Sequence, residues 1–136
     1  MHPDNVKEFL GVDIGNARIG IARGSDVARL AEPLKTVPAD IAFKELGNLI
    51  DSLKPAGVVV GLPRGLDGQE TDQTRLVREW VKKAKTAIAL PFYWQDEALT
   101  THSAESLPGE AGIDAKAAAV ILQDFLDSPE TERVRC

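Results

Sequence analysis

Residues 8–14, Glu-Phe-Leu-Gly-Val-Asp-Ile, form an almost unbroken apolar run, and no stretch of this chain restricts its fold more. A run without alternation belongs to a strand covered on both faces, so it predicts a central strand with layers on either side. Gly15–Asn16 supplies turn chemistry, and Arg18–Arg23 then reads as a second strand, closing an antiparallel hairpin. A weaker third strand is expected around Leu34–Val37.

From residue 39 to 53 the apolar period lengthens, with Ala42, Leu46, Leu49, Ile50 and Leu53 at helical spacing and Pro55 as a stop. Gly57–Gly61 is a buried strand, and Leu62–Gly68 reads as a loop. A second amphipathic helix carries Leu76, Val77, Trp80, Val81 and Ala84 on its apolar stripe, with Thr71 or Asp72 as cap. Ile88–Trp94 is expected as another strand, with Pro91 pointing to an edge. A short helix is expected over Thr101–Leu107, and a last one from near Asp114 presents Ala117, Ala118, Ile121, Leu122, Phe125 and Leu126. The order predicts an α/β fold in one domain over residues 1–127. Its five-stranded mixed sheet combines the hairpin meander with parallel strands and is flanked by helices. Residues 128–136 read as a flexible, frayed tail.

A chain of 136 residues, 43% hydrophobic and 27% charged, is a globular rather than a disordered composition. Its apolar runs are too short for a bilayer, no secretory signal is evident, and the one cysteine, Cys136, allows no intrachain disulfide. These features suit a cytoplasmic protein without a membrane partner. The net charge of −5 runs against the Lys and Arg excess usual for phosphate binding, unless a local basic face or bound cations supply it.

Asp13 interrupts an apolar strand, where a carboxylate is costly unless paired or metal-bound. Capping of the Gly15–Asn16 turn is an equally good explanation. Asp96–Glu97 could hold a cation at the mouth of a strand, although taken alone a solvated loop explains them better. Asp114 has the ordinary reading of a helix N-cap. Acids at the ends of two strands and one helix can nevertheless converge on one sheet edge. Arg75, Arg78, Lys82 and Lys85 share a helix face, which is either a solvated surface or a track for a phosphate backbone, with Arg18 as an addition near the site. His102 and Ser103 have no partners for a zinc or Ser–His site.

Four strings together, GVDIGNARIGIA (11–22), VVVGLPRGLDGQETDQTRLVREW (58–80), WQDEALTTHSAE (94–105) and IDAKAAAVILQDFLD (113–127), resemble the YqgF/RuvX family. That family is known for Holliday junction resolvases and for nucleases that process the precursor of small-subunit ribosomal RNA. The resemblance implies an RNase H-like fold, Mg²⁺ or Mn²⁺, and a catalytic, metal-binding carboxylate triad at Asp13, Glu97 and Asp114. It implies hydrolysis of phosphodiester bonds in pre-16S rRNA or branched DNA. A two-fold junction would favour a homodimer, which end-trimming of RNA does not need. Ala98 stands where the family usually has arginine, the 108–113 segment lacks the usual basic loop, and Arg64–Gly65 replaces an apolar–Asn pair. Two other readings stand beside the nuclease. One is an RNA- or ribosome-binding protein that has lost catalysis. The other is an actin-like nucleotide-binding domain, suggested by Asp13–Gly15 after a strand.

Overall fold

The computed structural model describes residues 6–64, 67–98 and 113–136, with only the backbone course described for Glu97, Ala98 and Ile113. Strands β1 (Glu8–Ile14), β2 (Arg18–Ser25) and β3 (Ala31–Pro38) form an antiparallel meander. Helix α1 (Ala42–Leu53) follows a 3₁₀ turn at Ala39–Ile41. Strand β4 (Gly57–Arg64), helix α2 (Asp72–Ala87), strand β5 (Phe92–Ala98), helix α3 (Ile113–Asp127) and strand β6 (Val134–Arg135) complete the described chain. The sheet order is β3-β2-β1-β4-β5-β6, with β4 parallel to both β1 and β5. No helix among the described residues is long and apolar enough to cross a membrane.

β1 is central and covered on both faces, as its unbroken apolar run requires. Leu10, Val12 and Ile14 join Leu46 of α1 and Val77 and Val81 of α2 on one side. Phe9 joins Ala118, Leu122 and Phe125 of α3 on the other. The two layers have different depth. On the α3 side the strands carry glycine where a β-carbon would collide: at Gly11 it would lie 2.7 Å from Leu122 Cβ, and at Gly61 2.4 Å from Ile121 Cδ1. Small residues on the sheet thus meet the buried Ala115, Ala118 and Ala119 of the helix, and α3 lies close on the strands.

The sheet differs from expectation in four places. It has six strands rather than five, because the tail is folded: after a 3₁₀ turn at Glu130–Glu132, Val134 pairs with Trp94 and Arg135 with Tyr93. Arg133, whose guanidinium carbon lies 4.4 Å from the Phe125 ring centroid, secures it, as does the Cys136 N–H donating to the Phe92 carbonyl. Apolar and aromatic attachment of a polar segment leaves no period to read. β4 continues through Leu62 to Arg64, into the expected loop, because β5 pairs with it residue by residue to Ala98. β5 starts at Phe92 rather than Ile88, since α2 runs on to Ala87 and Pro91 precedes the strand instead of interrupting it. β3 spans eight residues, with Pro33 accommodated on the sheet edge. The expected helix at 101–107 lies outside the described residues.

Candidate active site

Because β1, β4 and β5 are parallel, their C-terminal ends share one edge of the sheet, where Asp13 and the backbone of position 97 lie. Asp13 is the penultimate residue of β1 and sits opposite Gly20 of β2. Gly11, in phase with Asp13, faces α3, so Asp13 lies on the α3 side. Gly20 makes the approach of the helix feasible: a β-carbon there would stand 1.9 Å from the Asp114 carbonyl oxygen. The first turn of α3, with Asp114, therefore rests directly on β2 beside Asp13. Glycine at position 20 was not singled out from the sequence. Its signal was present as the small-residue alternation Gly20, Ala22, Gly24 opposite an alanine-rich helix.

The electrostatics follow from this placement. Burial, and then the neighbouring Asp114 carboxylate, push the Asp13 pKa up from 3.8 to about 6. Asp114 has a partner: Arg18 Nε donates to its Oδ2 at 2.9 Å. Arg18 begins β2 at the mouth of the hairpin, where its carbonyl accepts from Gly15 N–H at 2.9 Å. Among the described residues, no cation is paired with Asp13.

Glu97 lies on β5 opposite Pro63, at the same sheet edge as Asp13, and its side chain is outside the described residues. The structure thus brings Asp13 and Asp114 together and places position 97 on their edge. Among the described side chains, no three His, Cys, Asp or Glu residues cluster. Asp96 does not join the acids. Its Oδ1 accepts from Arg64 Nε at 3.2 Å, and Arg64 also donates to the Gly68 carbonyl. This gives Arg64, unusual for the resembled family, a local role in tying the β4 end to β5 and the following turn.

α2 is locked to the same edge at its start. Thr71 and Thr74 form a capping box, and the fully buried Thr74 hydroxyl donates to the Pro63 carbonyl. Gln73 Nε2 donates to the Ile14 carbonyl at 2.9 Å, one residue beyond Asp13. The basic stripe then leads away from this edge, on the sheet face opposite α3. Arg75, Arg78, Lys82 and Lys85 line an open groove of about 530 Å³ together with Trp94 and Val81. Three of its four cations face carboxylates: Arg75 meets Asp72, Arg78 holds Glu70 at 2.8 Å, and Lys82 approaches Glu79 at 3.6 Å. Arg78 also lies 5.4 Å from the Trp94 ring centroid, and Lys85 donates to the Cys136 carbonyl. The stripe exists as expected, with much of its charge already answered.

Comparison with known proteins gives a consistent setting. Residues 7–128 match the family model described as RuvX: Holliday junction resolvase. A protein of Rickettsia conorii, provisionally named pre-16S rRNA nuclease, is 36% identical over 132 residues, covering 88% of this chain and 86% of its own. One of the same name from Oleidesulfovibrio alaskensis is 37% identical over 139 residues, covering 93% and 96%. Among solved structures, Thermus thermophilus RuvC superposes with a TM-score of 0.63 at 12% identity, over 95% of this chain and 99% of that one. RuvC of the same organism in complex with a Holliday junction substrate gives 0.58 at 12% identity, over 96% and 99%. At that identity the likeness is one of fold, the RNase H-like arrangement of a mixed sheet between helices.

Proposed function

Because the chain belongs to the RuvX family, we propose that it is a cytoplasmic, metal-dependent nuclease whose phosphodiester hydrolysis is carried by Asp13, Asp114 and Glu97. The observation that carries this reading is Asp13 itself: a carboxylate set into the central strand, pushed up to about 6 by burial and by Asp114, with no described cation of its own. Such an arrangement is unfavourable in isolation and becomes favourable around a divalent ion. The donors fit Mg²⁺ or Mn²⁺, which prefer carboxylate oxygen. A divalent ion held there would supply charge stabilisation and a nucleophilic water at neutral pH.

The chain's own residues prepare the ground for this. Asp13 is held by the β1–β2 pairing and Asp114 by the contact of α3 with Gly20, so both are fixed by regular elements rather than loops. β5 brings position 97 to the same edge. Arg18, at that edge, and Arg75, in the first turns of α2, are the cations proposed to receive the phosphate backbone nearest the acids. Arg78, Lys82 and Lys85 extend the track along the groove, with the effect of Arg78 and Lys82 reduced by Glu70 and Glu79.

The relatives' names and the family description give two substrates to compare, pre-16S rRNA and a Holliday junction. The test is a cleavage assay on both with Mn²⁺, beside EDTA, Asp13→Asn and a solution mass. Metal-dependent cleavage that Asp13→Asn abolishes is expected. Tight RNA binding without cleavage in any metal would instead favour a binding protein that keeps the fold. A two-fold mass together with a preference for the junction would support a homodimeric resolvase.

A further inference from the structure

We propose that Arg18 is a stand-in cation for the carboxylate pair: it holds Asp114 while no divalent ion is bound, and passes to a substrate phosphate when one is. The inference rests on the metal-dependent reading above and adds to it a residue whose partner changes with loading.

Among the described residues, Arg18 is the one cation paired with either acid. Its Nε–H occupies Asp114 Oδ2 at 2.9 Å, on a carboxylate that would also help to hold a divalent ion. The two contacts compete for the same carboxylate. Charge decides the direction of the exchange. Asp13 and Asp114 together carry two negative charges when ionised, which one divalent ion cancels. The guanidinium then has a dication for a neighbour and loses its reason to stay.

The backbone of Arg18 is fixed while its side chain is not. Gly15 N–H and the pairing with Pro38 of β3 hold the main chain. The side chain is 64% exposed, against 26% for Asp114, so swinging it away uncovers little apolar surface. A released guanidinium at the hairpin mouth presents its planar donor fork at the edge where a phosphodiester must approach the acids. Arginine suits both states, because carboxylate and phosphate offer it the same bidentate geometry.

An ion pair this exposed is worth about 0.2–1 kcal/mol, so its competition lowers apparent metal affinity by a factor of up to about five. Arg18→Ala is therefore expected to bind Mn²⁺ more tightly than wild type, by about 1.4- to fivefold, in calorimetric titration. Its melting temperature should also rise more on Mn²⁺ addition than that of wild type. Arg18→Gln, which keeps a long polar side chain without the charge, should behave the same way. The second half is read from oligonucleotide binding at several salt concentrations. With Ca²⁺ holding the site, Arg18→Ala reduces the salt slope by about one unit, and in EDTA it leaves the slope unchanged.

Failures of the two readings are distinguishable. A wild-type chain that takes up no Mn²⁺, or an Asp13→Asn variant that binds it as well as wild type, overturns the metal site and the exchange with it. A wild type that binds Mn²⁺, with Arg18 variants that bind equally or more weakly, overturns the exchange alone. An equal loss of salt slope with and without Ca²⁺ would make Arg18 a permanent phosphate contact and also refute it.

Discussion

Replacing Asp13 by asparagine should stabilise the metal-free protein by an amount that depends on pH in one direction only. The Asp13 pKa stands near 6 in the fold against 3.8 for the unperturbed group. The folded chain therefore keeps the proton more tightly than the unfolded chain. The stabilisation this gives is fully present below about pH 4 and is lost as pH rises through about 6. At about 1.36 kcal/mol per pH unit, the gap sets an upper limit of about 3 kcal/mol. Relaxation and residual solvent access make 2–3 kcal/mol the working expectation, roughly 6–9 °C in Tm for a chain of this size. Urea unfolding of both proteins in EDTA between pH 4 and 8 measures it. The advantage of Asp13→Asn should be near zero at pH 4 and grow to its full value by pH 7. Taking the difference removes carboxylates that titrate alike in both proteins, such as Glu45 and Glu70, which Lys35 and Arg78 hold below their usual range. Saturating Mn²⁺ should then narrow the gap at pH 7, because only the carboxylate form of wild type gains from the ion. A pH-independent difference would refute the argument, since it would make the effect one of packing rather than ionisation.

Other substitutions probe how the edge is built. Gly20→Ala puts a β-carbon where the Asp114 carbonyl stands 1.9 Å away, so α3 must shift. A loss at or above the upper end of about 1–3 kcal/mol is expected in urea unfolding, with a smaller Mn²⁺-induced rise in Tm; unchanged values for both would contradict the close approach. Thr74→Val leaves the Pro63 carbonyl without its buried donor and breaks the capping box. It should destabilise by about 1–3 kcal/mol, whereas Thr74→Ser should lose less. Along the stripe, Arg75 and Lys85 are ten residues apart, about 15 Å of helix. Arg75→Ala should weaken nucleic-acid binding more than Lys85→Ala, with the cleavage rate of the bound complex little changed, and equal effects would disconnect the stripe from the edge.

What could be read from the sequence divides along a physical line. Features that repeat at a fixed period were legible: the apolar run of β1, the helical stripes of α1 and α2, and the amphipathic last helix. The turn at Gly15–Asn16 was legible because its residues have few other uses. Boundaries set by a neighbour were not. β4 extends to Arg64 and β5 to Ala98 because each pairs with the other, which neither segment announces alone. The last strand was missed for the same reason: Val134–Arg135 is a strand only in the presence of β5. Among site residues, Asp13 was conspicuous as a charge in an apolar run, and Asp114 was not, since aspartate at a helix start is common. What distinguishes Asp114 is the missing side chain at Gly20 across from it.

The charge balance can be understood in the same local terms. A net charge of −5 argues against a polyanion partner only if charge acts as a total, and at physiological salt it acts over about 8 Å. Within that range the described arginines and lysines of α2 mostly meet carboxylates of their own surface, as Arg75 does with Asp72 and Arg78 with Glu70. They add little long-range attraction. At the sheet edge the sign depends on loading. Without a divalent ion, Asp13 and Asp114 leave an ionised edge net negative even with Arg18 in place. With one, the same edge becomes neutral or positive and frees a guanidinium. On this account affinity for nucleic acid is conditional on metal, and the acidic balance of the chain becomes part of how unloaded protein is kept off its substrate. The pairing of Arg75, Arg78 and Lys82 with carboxylates of their own surface would then weaken binding by the empty protein far more than binding by the loaded one.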